Sequence, residues 1–515
     1  MSALVALPVV IPLLTAASCG VLQTHRRLQR LVGVFGALAL FASSIGLMFE
    51  VWQRGPLAAV IAGWTPPLGI ALVADTLAAV MVLVTGLLGA CVSVYALGDV
   101  SEKVEQRGYL PLHHVLLAGA CGSFLTADLF NLFVWFEVLL GASFVLLVLE
   151  RSNAQFEGAF KYVVINLIGS VVLLVAIGLT YGLAKTLNMA DVATALGNAA
   201  AKRPALVLSV AGLYTVAFGI KAALFPLFAW LPPSYPTPPA AVAALFSGLL
   251  TKVGVYAFFR VFTLVLSGDE RVYWVLLMLS CVTMVLGVAG AVAQSDVRRI
   301  LSFHIIRQIG YMVAGVGLLI AQDERTRKLA LAAGIFYTIH NILAKSNLFL
   351  ISGAIERLSG SSQLASLGGL SRRVPLWTGL FAISAFALAG MPPLSGFWAK
   401  LFVVWASVEA GHWWVGALGL LVGLFTLISM LKIFNGAFWK PTPDQQQFTE
   451  LSGRGAWAMT APVVVLASLS ALVGVQPSPL FAAASRAAAE LSSYTQYRAA
   501  QQLDPSVIAT PEEVQ

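Results

Sequence analysis

The sequence predicts an all-α polytopic membrane protein, and three observations carry that expectation. Hydrophobic residues make up 59% of the 515-residue chain and charged residues only 10%, against about 25% in soluble globular proteins. Apolar runs of about 20 residues, the length that crosses a bilayer, recur along nearly the whole chain, which has room for about fourteen of them. Single cations interrupt some of these runs at Lys221, Lys252, Lys345 and Lys400, where a lysine at mid-span costs roughly 2.5–3.5 kcal/mol. Mean hydropathy is +0.87, in keeping with the same class.

Taken in order, the runs predict helices near 3–22, 31–50, 70–97, 112–127, 129–149, 159–183, 205–230, 240–266, 272–293, 300–320, 330–355, 375–407, 413–438 and 457–476. Several exceed one bilayer thickness, so tilt or kinks are expected. Prolines interrupt two of them, at Pro226 in KAALFPLFAWLPP (221–233) and at Pro392 and Pro393 in GMPPLSGFWAK (390–400). Irregular backbone at that depth is tolerated only where it is buried in protein or lines water, so both breaks are expected to pack inside. About five spans separate the breaks. An odd number of spans reverses chain direction, which is the arithmetic of an inverted repeat. The expected division is 1–111 for the first three helices, 112–267 for one five-helix unit, 268–440 for a second, and 441–515 for the last helix and a polar tail. Within that tail, 481–503 is Ala-rich and suits a surface helix. The end, with Pro505, Pro511, Glu512 and Glu513, reads as frayed.

The basic first loop, with Arg26, Arg27 and Arg30, belongs on the cytoplasmic side and puts both termini outside. Lys202, Arg203, Arg325, Arg327 and Lys328 fall on the opposite side, so the bias is modest. A net charge of +8 comes mostly from loops and buried lysines, and no basic face interleaved with exposed aromatics suggests a nucleic acid. Cys19, Cys91, Cys121 and Cys281 lie inside spans without a CxxC or a metal-ligand cluster, so they read as small core residues. No iron–sulfur, haem or nucleotide motif is present, and no cofactor is expected.

Glu137, in NLFVWFEVLLGASFVLL (131–147), is the carboxylate placed at mid-span, and Lys221 is its expected partner because pairing makes both charges tolerable. A purely structural ion pair is the alternative. Asp75 and Asp128 fall near helix ends, where a carboxylate reaches water, and Arg260 and Lys432 are placed to snorkel. Lys252 has no acid in its own span, so burial makes its charged form costly and suits it to exchange a proton. His304 and His340 add imidazoles able to shuttle protons. Asn341 and Lys345 share a helix face, whereas His340 and Lys345 diverge.

Together Glu137, KAALFPLFAWLP, TKVGVYAFFR, DVRRILSFHIIRQIGYM, IHNILAKSNLFL and GMPPLSGFWAKLF resemble the antiporter-like subunits of respiratory complex I and of the Mrp multisubunit sodium/proton antiporters. The resemblance runs in register over about residues 70–440. It implies fourteen helices in two inverted five-helix units, with the seventh and twelfth broken. It also implies a mid-membrane proton path through Glu137, Lys221, Lys252, His340 or Lys345, and Lys400, to which the helical imidazole of His304 is added here. Within the family the chain is similar to the D-type Mrp member: Lys400 stands where one complex I type carries Glu, and the tail AAQQLDPSVIA (499–509) fits. Arg307 departs from the small polar residue usual before QIGY.

The function this implies is proton translocation in exchange for sodium or another monovalent cation. The chain would act as a transporter subunit in a bacterial inner membrane, beside other membrane subunits of the same complex. Two alternatives are a proton-pumping subunit of a redox-driven complex and a subunit that only scaffolds its neighbours.

Overall fold

The computed structural model describes residues 3–61, 64, 69–266, 268–442, 448–449 and 453–501. The expected frayed end and most of the Leu-Asp-Pro ending lie outside the described residues. Among the described residues, ten helices are long and apolar enough to cross a membrane, and three shorter apolar helices accompany them.

Helices α1 (Leu7–Val21) and α2 (Arg26–Arg54) lead into an antiparallel hairpin, β1 (Leu57–Val60) with β2 (Ala71–Ala74), in which Leu57 pairs with Ala74. Hydropathy places the start of the third helix near residue 70. It begins instead at Thr76, because the Asp75 carboxylate caps it, accepting from Ala78 N at 2.9 Å. Then follow α3 (Thr76–Asp99), α4 (Tyr109–Leu125), α5 (Leu129–Leu147) and α6 (Asn153–Ala184). A short amphipathic α7 (Met189–Lys202), not expected from the apolar runs, comes next. After it stand α8 (Pro204–Ala222), α9 (Ala240–Val265), α10 (Glu270–Ala293), α11 (Val297–Ile320) and α12 (Glu324–Ser359). The chain ends with α13 (Pro375–Ala389), α14 (Ser395–Glu409), α15 (Trp413–Trp439), α16 (Gly455–Val475) and α17 (Ser478–Ser492).

Helices α9 and α11 are buried along nearly their whole length, whereas α2 and α6 expose most of theirs. Helix α12 is too polar to pass as a span by hydropathy, yet it is buried continuously from Ala330 to Ile355. Neighbouring protein replaces lipid around it. All four cysteines are buried and free.

Two aspartates start helices in matching settings. Asp128 caps α5 through Asn131 N (2.8 Å) and bridges to Asn188, where Leu129 N donates to Leu187 O (3.0 Å) and Met189 N to Ala127 O (2.8 Å). Asp296 caps α11 through Arg299 N (2.9 Å) and bridges to Gln363, where Val297 N donates to Ser362 O (3.0 Å) and Leu364 N to Ser295 O (3.0 Å).

The broken helices occur where the prolines stand. The chain leaves helix after Ala222 and regains a turn at Leu231–Ser234, and a second gap separates α13 from α14. Phe225–Pro226 and Pro392–Pro393 are cis. Pro226, Pro392 and Pro393 do not pack inside as expected; their rings are exposed on this chain. A proline has no N–H to bury, so its ring can face outward while its neighbours satisfy the break from within. Phe225 N donates to Thr283 Oγ1 (3.0 Å), Trp230 Nε1 to Ile220 O (3.0 Å) and Trp398 Nε1 to Gly474 O (2.8 Å).

Three other expectations need correction. Arg260 does not snorkel and Asp75 does not reach water: both are buried, and the guanidinium forks onto the carboxylate at 2.5 and 2.8 Å. Two charges that meet bidentately away from water form a stronger pair than either finds at an interface. Tyr256 Oη accepts from Arg260 Nη2 (2.9 Å), and the Tyr497 ring lies 5.0 Å from the guanidinium. The Ala-rich C-terminal helix is not a surface element either. Helix α17 buries Ala483, Ala484, Ala487, Ala488 and Leu491, since small side chains allow close helix approach. Its Glu490 accepts from Thr76 N and Oγ1, each at 2.7 Å, on the first turn of α3.

Removing one member of the Asp75–Arg260 pair strands a buried charge. Asp75→Ala is expected to lower stability by about 3–5 kcal/mol, and the double replacement Asp75→Leu with Arg260→Met should recover most of it. Thermal unfolding of the purified protein checks this; equal destabilisation by the single and double variants would contradict it.

Candidate functional site

The four lysines singled out in the sequence all lie inside the protein, and each meets a different local solution to its charge. Lys221 belongs to the last turn of α8. Its Nζ lies 3.8 Å from Glu137 Oε1 on α5, so the carboxylate and ammonium are close but not in direct hydrogen-bond contact. Ser170, on α6, closes the gap: its hydroxyl donates to Glu137 Oε1 and accepts from Lys221 Nζ at 2.9 Å. The Asn166 carbonyl lies 3.4 Å from the same ammonium, and the Phe136 ring 5.9 Å away. A cavity of ≈ 20 Å³ beside Lys221, lined by Phe136, Tyr162 and Asn166 among others, holds about one water-sized sphere. Lys221 is nearly buried, while the Glu137 side chain keeps 33% of its surface open on this chain.

Lys252 is fully buried on α9. Residues Phe246–Leu250 immediately before it form a π-helical turn. That wider turn is a frequent feature of functional helices. Here it brings the Ser247 carbonyl to the lysine's own side chain: Nζ donates to Ser247 O at 2.5 Å and reaches Thr251 Oγ1 at 3.4 Å.

Lys345 is fully buried on α12, and its Nζ has no hydrogen-bond partner among the described residues. The Phe349 ring lies 5.9 Å from it. His340, on the same helix, faces elsewhere: Nδ1 meets Ser395 Oγ at 2.8 Å, and Ser395 continues to Ser470 Oγ at 2.9 Å. His304, on α11, meets Ser429 Oγ at 2.6 Å. The two histidines therefore head two separate hydroxyl contacts.

Lys400 lies on α14, one turn after the second break, and its Nζ donates back to the carbonyl of Ala389, the last residue of α13. Gly390 caps α13 at φ +90°, a conformation that a side chain would strain. A Cβ there or at Gly423 would sit 3.0 Å from Lys400 Nζ. Both glycines keep space for the ammonium.

The structure thus brings Glu137 and Lys221 together and places Lys252, Lys345 and Lys400 in separate buried settings. His304 and His340 do not contact a lysine directly. Sequence reasoning missed Ser170, which connects the opposite charges of this constellation; a serine in an apolar helix is too ordinary to signal a role. It also missed the Asp75–Arg260 pair, whose members lie far apart in sequence.

A family model described as NADH:quinone oxidoreductase/Mrp antiporter, transmembrane, matches residues 126–426, a segment that contains Glu137, the four lysines and both histidines. The D-type chain of the Na(+)/H(+) antiporter of Alkalihalophilus pseudofirmus is 40% identical over 482 residues, covering 93% of this chain and 95% of its own length. A chain of the Mrp complex from Dietzia sp. DQ12-45-1b superposes with a TM-score of 0.89 at 33% identity, covering 97% of this chain and all (100%) of its own. A chain of respiratory complex I from Thermus thermophilus with bound NADH gives a TM-score of 0.78 at 26% identity, covering 95% of this chain and 100% of its own. The chain is therefore a multi-pass membrane protein that belongs to the NADH:quinone oxidoreductase/Mrp antiporter transmembrane family.

Proposed function

We propose that this chain is the D-type component of a multisubunit sodium/proton antiporter and carries its protons along Glu137, Lys221, Lys252, His304, His340, Lys345 and Lys400. The observation that carries the reading is the Glu137–Ser170–Lys221 contact. A hydroxyl held between an acid and an amine gives a proton two acceptors within one hydrogen-bonded chain. Its occupancy then depends on whether Lys221 is drawn toward Glu137 or released from it. Lys252, Lys345 and Lys400 supply further amines that can be neutral or charged, which Arg cannot. The 40% identity to a D-type antiporter chain across nearly the full length supports exchange with sodium.

We also infer two inverted units, 112–267 and 268–440, each with a broken helix. Their support is the matched pair of caps and bridges at Asp128/Asn188 and Asp296/Gln363. Under that division Ser170 and Lys345 stand at the same sequence distance before Asn188 and Gln363, so one unit has a bridging hydroxyl where the other has an amine. The basic first loop supports both termini lying outside the inner membrane.

A second reading, a proton-pumping subunit of a redox-driven complex, draws on the likeness to a complex I chain. The higher identity to the antiporter relative favours exchange.

Sodium-driven proton movement in everted vesicles carrying the whole complex is the test. Glu137→Gln and Lys221→Ala should each abolish exchange while the complex still assembles; wild-type exchange in both would refute the assignment.

Lys400 gives an independent check. Lys400→Arg should lose exchange although it keeps the charge, because a guanidinium does not release its proton. Gly423→Val should cut the rate roughly ten- to a hundredfold by displacing the ammonium, as a misplacement of about 1 Å does in other sites. Gly379→Val, where a Cβ meets nothing within 4 Å, should leave it unchanged. An active Arg variant would make Lys400 a fixed charge and not a carrier.

A further inference from the structure

Arg307 is a cation of the second unit that no working pH can neutralise. It sits on α11 with no exposure, and its Nε and Nη1 have no hydrogen-bond partner among the described residues. Its guanidinium lies 5.5 Å from the Tyr311 ring. With the Gln308 amide turned so that its oxygen accepts, that oxygen takes Arg307 Nη2 at 3.1 Å and Asn341 Nδ2 at 2.9 Å. Asn341 shares a face of α12 with Lys345 one turn on. The guanidinium is thus tied through one amide to the helix face that carries the unpartnered lysine.

The charges around Arg307 are all positive or neutral. Helix α11 packs against α9, α10, α12, α14 and α15. Tyr311, beside the guanidinium, donates to the Gly419 carbonyl of α15. One turn on, a Cβ at Gly423 would sit 3.0 Å from the Lys400 ammonium, so the guanidinium adjoins the settings of both lysines. His304 of its own helix, His340 of α12 and Lys252 of α9 are other basic groups on these elements. Tyr311 and Tyr337 are the nearby phenols. Helix α10 offers the Cys281 thiol, and Arg260 on α9 is already matched by Asp75. Lys432 on α15 is exposed and bonded to the Val292 and Gln294 carbonyls. The acids on these helices, Glu270, Glu324, Glu356 and Glu409, all stand in first or last turns. Among the described residues, no carboxylate plays the part here that Glu137 plays for Lys221.

We propose that Arg307 is a positioning residue of the proton path: a permanent positive charge held beside the settings of both Lys345 and Lys400. A proton entering this unit then meets the same fixed charge at either lysine. Lys221, with Glu137 beside it, has no such restraint. The two units therefore differ in the charge set beside their amines, a carboxylate in the first and a fixed cation in the second.

The sign of the effect follows from Coulomb repulsion. Neutralising Arg307 removes a like charge, so Lys345 and Lys400 fill at lower proton concentration. The pH profile of exchange should move to the alkaline side by about one unit, the size of a unit-charge interaction across roughly 10 Å of protein.

The experiment measures sodium-driven proton exchange against pH in everted vesicles containing the complete complex. Arg307→Gln keeps a hydrogen-bonding amide and Arg307→Met keeps apolar bulk, so a folding defect in one leaves the other to be read. Both should show the alkaline shift. Gln308→Leu, which removes the amide and leaves the charge, should change the rate without moving the profile. An unmoved profile in either assembled Arg307 variant, or an equal shift in Gln308→Leu, would overturn the role of the charge. The inference rests on proton exchange by this chain, and the wild-type complex measured alongside separates the two: no exchange in wild type rejects the function itself, whereas normal wild-type exchange with unmoved variants rejects only Arg307.

Discussion

The cost of a bare ammonium in a bilayer core governs how this chain is built. No water is at hand there, so each buried lysine needs a carboxylate, a hydroxyl or a carbonyl, or it must give up its proton. A regular helix offers its carbonyls poorly, because its own N–H groups already occupy one lone pair of each. Near Lys221, Lys252 and Lys400 the helices depart from regularity, whereas Lys345 stands within the unbroken α12. A π turn brings the Ser247 carbonyl to Lys252, and the gap between α13 and α14 leaves the Ala389 carbonyl for Lys400. For Lys252 and Lys400 the irregular segments are the sources of acceptors, and the surrounding packing of α9, α11 and α12 keeps lipid away from them.

Residue type then separates charges that hold the fold from charges able to change. Arg260 and Asp75 form a bidentate pair with Tyr256 and Tyr497 around it. An arginine keeps its proton, so that pair is fixed and serves to join α3, α9 and the C-terminal segment. Glu137 and Lys221 are held farther apart, with a hydroxyl between them. A looser pair of groups that can each exist neutral has the opposite property: its charge state responds to its surroundings. The same chain uses tight arginine forks where permanence is needed and spaced lysines where it is not.

How much of this could be read from the sequence depended on how far each residue departed from its local background. Lys221, Lys252, Lys345, Lys400 and Glu137 stood out because long apolar runs bracket them, and the spans themselves followed from hydropathy, with ends shifted by a few residues. Ser170 left no trace, since one more serine in an apolar helix changes nothing in the pattern. Asp75 read as a helix-end carboxylate, which it is, but the arginine that buries it lies on α9, and no local pattern announces a contact across that separation. The proline positions marked the breaks correctly and misled about their facing. A ring without an N–H can turn outward while Thr283, Trp230 and Trp398 make the inward contacts. The packing of α17 was equally hidden, because alanine suits an exposed helix and a close helix contact alike.

The two broken helices also explain why the lysines beside them lie on opposite sides of their breaks. Lys221 precedes its break and Lys400 follows, so in sequence they look unrelated. Both nonetheless serve the half-helix before the gap: Lys221 stands within the last turn of α8, its ammonium turned toward Ser170 of α6, and Lys400 folds back onto the final carbonyl of α13. The C-terminal end of a helix carries the negative pole of its dipole and unsatisfied carbonyls, a favourable place for a cation. Interrupting a transmembrane helix moves that pole from the membrane surface into the interior. A continuous helix would keep its negative end near water, where an ammonium needs no help; a broken one delivers it to the depth where the lysine does.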